Sequence, residues 1–198
     1  MSDALQEDHP WNWYGPDDSQ TLIAGTFPPT RNNWSFDFFY PNKTNFFWRV
    51  MSAVANKPLQ FIKGEEAVAE RKALLDSLKL TVTDMGKTIR RLQNNSLDEN
   101  LEAITFMDIQ HILQQKPGIN KIIFTSSSGK SNAAKWFQKY ITLLHIPHKF
   151  PKGNKPVKSQ VTLAGRKIEL VILYSPSARA ANRISFERLV ELYKTELL

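Results

Sequence analysis

The chain has no cysteine among its 198 residues, which excludes disulfides, thiolate metal sites, iron–sulfur clusters and a cysteine nucleophile. Histidine is nearly as scarce. His9, His111, His145 and His148 show neither HxxxH nor HExxH spacing, and Pro147 between the last two keeps them off a common helix face. No metal site and no cofactor are expected. A GxSxG elbow is also missing, so a serine-hydrolase triad has no anchor. No apolar run approaches the about 18 residues of a membrane-spanning helix, and no membrane contact is expected. Met1–Pro10 is polar and acidic, unlike a secretory leader, and a cytoplasmic protein is the expectation.

The chain has a surplus of positive charge: 26 Lys and Arg against 19 Asp and Glu, a net +7. That surplus suits a polyanionic partner, because each neutralised phosphate releases counterions. Lys149, Lys152, Lys155 and Lys158 lie in a stretch broken by Pro and Gly, and Arg90 and Arg91 lead a second polar loop. Either group reads as solvated loop charge or as an edge that tracks phosphates. The length suits one domain, read here as residues 21–198 behind an N-terminal extension of residues 1–20. Only the first eight or so residues look disordered.

Apolar periodicity sets out the elements. Thr21–Ala24 reads as a buried strand stopped by Gly25 and Pro28–Pro29, and an aromatic loop leads from there to a helix over Asn45–Ala55. Twelve of the 22 aromatic residues lie between Trp11 and Trp48, more than one strand and one helix need for packing. Glu65–Ser77 forms an amphipathic helix, and Leu78, Leu80 and Val82 alternate with Lys79, Thr81 and Thr83 in a strand ending at Asp84. Asp108 caps a short helix closed by Pro117–Gly118, and Ile122–Phe124 is a third buried strand. Ser128 or Ser131 caps the helix carrying Trp136, Phe137 and Tyr140. Val161–Leu163 and Lys167–Leu173 form a hairpin across Ala164–Gly165–Arg166, and a last helix starts near Ile184. Alternating strands and helices predict a mostly parallel sheet covered on both faces, with active residues after Ala24, Val82, Phe124 and Leu173.

Two loops after strands carry candidate chemistry. Thr125–Ser131, TSSSGKS, lies between a strand and a helix like a phosphate loop, but Phe124 occupies the first glycine position of that pattern, so a triphosphate cradle is not expected. Its Ser126, Lys130 and backbone amides remain candidates to hold one DNA phosphate. Ser175–Pro176–Ser177–Ala178–Arg179 is slim enough to enter a nucleic-acid groove, or is a plain strand-to-helix connection.

Four segments in order carry a resemblance. Gly25–Thr26–Phe27–Pro28–Pro29 follows the first strand. Tyr40 through Asn45–Phe46–Phe47–Trp48 reads YxxxxNxFW. Leu80–Asp84, with Asp98 in a following loop, and Lys121–Phe124 are the second and third strands, and Leu173–Arg179 ends the series with an SPS loop. Together they resemble the uracil-DNA glycosylase superfamily, nearest its mismatch-type and hypoxanthine-type branches, over about residues 22–192. The resemblance implies a three-layer α/β/α sandwich around a four-stranded mostly parallel sheet, a monomer, DNA as partner, and base excision without a metal.

Base excision requires flipping a nucleotide, stacking its base and breaking an N-glycosidic bond through an oxocarbenium-like transition state. Within the resemblance, Gly25, Thr26, Phe27 and Tyr40 bind the base, with Phe27 or Tyr40 as the stacking surface. Asn45 hydrogen-bonds the base or orients water, and Asp84 is a second water activator. Ser175, Pro176, Ser177, Arg179, Ser126 and Lys130 hold DNA. Uracil-type enzymes carry Asp or Asn where this chain has Phe27, and histidine where it has Ser175. The hypoxanthine-type branch also lacks the first of these and relies on an asparagine matching Asn45, so a deaminated base, hypoxanthine or uracil-like, is the expected target. Competing readings are a catalytically silent nucleic-acid-binding module on the same fold, and an enzyme acting on free nucleosides. Asn45 and Asp84 also suit plain helix capping, and Phe39 and Trp48 suit the core.

Overall fold

The computed structural model describes residues 5–93, 95–178 and 183–198. Its centre is four parallel strands, β3 (Thr21–Gly25), β4 (Leu80–Asp84), β7 (Lys121–Phe124) and β9 (Arg166–Ile172), which run β4-β3-β7-β9 across the sheet. Successive side chains on a strand point to opposite faces. Leu22, Ala24, Ile122, Phe124, Leu170 and Ile172 therefore share one core with α3 (Ile109–Gln115) and α4 (Ala133–Leu143). Ile23, Val82, Ile123, Val171 and Leu173 enter a second core with α1 (Phe47–Ala55), α2 (Gly64–Ser77) and α5 (Phe186–Leu197). Burial on both faces is why β3 and β7 read as nearly continuous apolar runs, while β4 alternates Leu80 and Val82 with buried Thr81 and Thr83.

The sheet has six strands, not the four expected. β2 (Trp13–Tyr14) pairs antiparallel with β4 at one edge, and β8 (Val157–Leu163) pairs antiparallel with β9 at the other. The β8–β9 turn is two residues long, Ala164 and Gly165 at φ 51° and 75°, which is the twist a tight hairpin favours. A separate antiparallel sheet, order β1-β5-β6, joins Leu5–Asp8, Gly86–Arg91 and Leu101–Phe106.

This small sheet corrects two expectations. Residues 5–8, read as disordered, form β1 in register with β5 from Leu5↔Arg91 to Asp8↔Thr88. Arg90 and Arg91 belong to β5 rather than to a solvated loop. Arg91 is 2% exposed, and its guanidinium bonds both carboxylate oxygens of Glu7, at 2.7 and 2.9 Å, and the Pro28 carbonyl at 3.1 Å. A planar guanidinium facing a carboxylate satisfies both groups in that fork geometry. The α4 cap also differs: Asn132, not Ser128 or Ser131, accepts the Lys135 N–H, while Ser131 donates to the Leu101 carbonyl.

Candidate active site

All four parallel strands end on the same side, and the segments that follow them enclose a cleft of about 400 Å³. A crevice beyond the carboxyl ends of such strands is where open α/β sheets bind ligands. Thr26, Phe27, Tyr40, Asn45 and Asp84 line it, as do Ser126, Ser175, Pro176 and Ser177. Gly25 lies beneath them. Lys130 does not line the cleft; its ammonium, with the side chain 67% exposed, faces Glu102 at 3.8 Å. Arg179 lies outside the described residues.

Gly25 is register partner to Asp84, and its backbone is approached closely. A Cβ on Gly25 would fall 2.0 Å from Asp84 Oδ1 and 3.0 Å from the Tyr40 hydroxyl. Only glycine lets a carboxylate and a phenol crowd the same spot. Tyr40 sits at φ 50°, a left-handed conformation unusual for a residue with a side chain. Its ring stacks on Phe47 at 3.9 Å and its hydroxyl is bonded to Thr125 Oγ1 at 3.1 Å. Burial, and then the nearby Asp84 carboxylate, push the phenol well above the ordinary tyrosine range. It therefore keeps its proton and can serve as a hydrogen-bond donor.

Asn45 precedes α1, and its Oδ1 accepts the Phe47 N–H at 2.9 Å. That bond fixes the amide orientation and takes one of the two lone pairs of Oδ1. The donor that the side chain offers the cleft is its NH₂. Nearby, the Phe46 N–H donates to the Pro176 carbonyl at 2.7 Å, so the SPS loop is tied to the start of α1. Within that loop the Ser177 N–H donates to Ser175 Oγ at 3.2 Å.

On the opposite wall the Thr26 hydroxyl donates to Asp98 Oδ2 at 2.9 Å, which commits its only proton. Ser126 must then donate across its 2.9 Å contact with Thr26, while Ser126 Oγ accepts the Ala133 N–H. Ser96 bonds the Thr30 N–H and hydroxyl at 3.2 and 3.1 Å. Ser96 and Leu97 are thereby held as a wall of the cleft, a part that no motif in the sequence announces. Phe27 is 9% exposed and belongs largely to the core, so it offers the cleft little more than a margin.

The residue that sequence reasoning passed over is His9. Its Nε2 lies 2.9 Å from Asp84 Oδ2, and its side chain is 1% exposed. Trp11, Phe27 and Phe39 enclose the ring. The available signal was modest: a histidine followed by Pro10, Trp11 and Trp13 marks an N-terminal stretch that must bury aromatic surface.

Among the described residues no cluster of three or more His, Cys, Asp or Glu could hold a metal ion, and no helix is long and apolar enough to cross a membrane. Compared with known protein families and with curated proteins, the chain matches none.

Proposed function

We propose that the chain is a DNA glycosylase that hydrolyses the N-glycosidic bond of a flipped, deaminated base. The observation that carries this reading is the meeting of Asp84 and Tyr40 over the bare backbone of Gly25, beneath a cleft that Asn45 also lines. Its volume suits a nucleobase and its sugar. Breaking the bond puts positive charge on the sugar and negative charge on the base. The carboxylates of Asp84, Asp98 and Glu99 line the cleft and favour the cation; the Asn45 NH₂ is a donor suited to the anion, while the Tyr40 proton goes to Thr125 Oγ1, whose own proton goes to the Ala24 carbonyl. Asn45 thus acts on the departing base rather than as a base toward water, and Asp84 is left to take the water's proton.

The same reading takes DNA as the partner, requires no metal or cofactor, and expects a cytoplasmic monomer with the sandwich architecture of the resemblance. Helices on both faces of the four parallel strands are consistent with that architecture. The net charge of +7 suits DNA, as does Arg183 at the cleft. A catalytically silent DNA-binding module on the same fold is favoured by one observation: Phe27 and Ser175 stand where uracil-type enzymes carry catalytic groups.

A strand-cleavage panel decides between them. Labelled duplexes carry hypoxanthine, uracil opposite guanine or adenine, xanthine, or thymine opposite guanine, and alkali reveals abasic sites. Cleavage by the wild type, lost in Asn45→Ala, supports the glycosylase. A blank panel with salt-sensitive DNA binding assigns the silent module.

A further inference from the structure

We propose that His9 positions Asp84 for water activation, so that a histidine–carboxylate pair drawn from two distant parts of the chain serves in place of the groups missing at Phe27 and Ser175. The inference rests on the glycosylase reading. Asp84 has two oxygens and the structure gives them different surroundings. Oδ2 meets His9 Nε2 at 2.9 Å, and Oδ1 lies over the Gly25 backbone at the cleft. One oxygen is thus held by the protein and the other is left for a ligand.

The mounting of His9 is more rigid than a filler side chain needs. It falls in the short link between β1, which pairs with β5 of the small sheet, and β2, which pairs with β4 of the large one. Trp13 of β2 is register partner to Thr83, the residue before Asp84. The His9 N–H donates to the Lys87 carbonyl at 2.7 Å, and its Nδ1 contacts the Trp11 N–H at 3.1 Å and the Trp11 carbonyl. Three aromatic rings close the remaining sides. A strand from each sheet therefore fixes the imidazole, and the imidazole fixes the carboxylate. The N-terminal segment is then part of the active site rather than an appendage.

In the step this serves, a water oxygen bonds to C1′ of the deoxyribose as the C1′–N bond breaks and its electron pair leaves with the base. The water's proton passes to Asp84 Oδ1 and from there to the departing base. Hydroxyl on the sugar and hydrogen on the base account for the water. His9 touches none of the reacting atoms; its contact with Oδ2 persists throughout and keeps Oδ1 aimed at the water.

The test measures single-turnover cleavage of the panel's preferred duplex by the wild type, His9→Leu and His9→Gln, with DNA affinity by anisotropy and thermal midpoints alongside. His9→Leu is expected to slow cleavage by roughly 10- to 100-fold with DNA affinity unchanged. His9→Gln, whose amide N–H can reach the same oxygen, is expected to recover at least half of that loss on a logarithmic scale. A folded His9→Leu cleaving at the wild-type rate overturns the inference and leaves the glycosylase intact. So does a loss shared by both variants that follows their thermal midpoints, since that is a structural role alone. If His9→Leu does not fold, His9→Gln decides: folded and active supports the pair, folded and inactive refutes it. A wild type that cleaves nothing in the panel removes the glycosylase reading and this inference with it.

Discussion

Gly25 and Asp84 face each other across adjacent parallel strands so closely that a methyl group on the glycine would lie 2.0 Å from the carboxylate. The Asp84 side chain has little room to retreat, because it is 6% exposed and already bonded to His9. Gly25→Ala should therefore act as overpacking, which costs about 1–3 kcal/mol. Urea unfolding should show that loss together with a fall in cleavage, since Asp84 and Tyr40 must both shift. Wild-type stability in the alanine variant would mean that the strand ends separate easily and that the close approach has no consequence.

Asn45 joins a structural bond to a proposed chemical one, and the two can be separated. Removing its Oδ1 leaves the Phe47 N–H unpartnered, so Asn45→Ala should cost about 0.5–2 kcal/mol as a lost cap. Cleavage should drop roughly 100- to 1000-fold, as when one donor to a developing anion is removed. Asn45→Asp keeps an oxygen for the Phe47 N–H but has no NH₂. It should retain stability and lose cleavage. An active Asn45→Asp would disprove the donor role.

How far the sequence reveals this molecule follows from what each element relies on. β3, β7 and the second half of β9 carry short buried apolar runs, β4 shows strict alternation, and α1, α4 and α5 show one apolar stripe each, so periodicity alone reveals them. The cleft follows from that topology, and Thr26 and Asp84 stand at strand ends to which the alternation of elements points, whereas Tyr40 and Asn45 were singled out by the resemblance. β1, β5 and β6 were not, because they are short and carry charges, and order reaches β1 through Glu7 and Arg91, 84 residues apart. His9 is hidden for the same reason: its partner lies 75 residues away, and nothing local marks it. The walls built by Ser96 and Leu97 depend on a loop whose place is set by Thr30, again a distant contact. Periodicity reports burial on regular elements and is silent about polar pairs between remote loops.

Four tyrosines give stability a defined response to alkali. Burial is the leading cause of the upward shift at each of Tyr40, Tyr140 and Tyr193, and at Tyr14 burial and then Asp76 push the phenol to about 12. A raised value means that the folded chain keeps protons the unfolded chain loses near pH 10. The stabilisation is thus fully present below about pH 10 and declines as pH rises from there toward the folded values. For a fully buried phenol such as Tyr193, the slope is up to about 1.4 kcal/mol per pH unit. Thermal midpoints from pH 8 to 11 should be steady and then fall, and phenolate absorbance should appear mainly with unfolding. Ionisation of all five tyrosines near pH 10 in the folded state would contradict this account.

Lys155 tests the DNA side of the reading. Its ammonium lies 5.0 Å from the Tyr174 ring centroid, and burial, followed by the charge of Arg183, holds it below the usual lysine value. Among the described residues neither cation has a carboxylate partner, although Arg183 lines the cleft. Two cations near one another without a counter-charge are disfavoured unless an anion joins them, and a DNA phosphate beside the flipped base would do so. Lys155→Gln should weaken DNA binding uniformly across sequences and reduce the slope of log affinity against log salt by about 0.9. Lys167→Gln is the comparison, because Lys167 is exposed near the start of β9, at the end of the strand away from the cleft. It should leave the slope nearly unchanged. Equal slopes for the two variants would show that Lys155 contributes only net charge and that the phosphate path runs elsewhere.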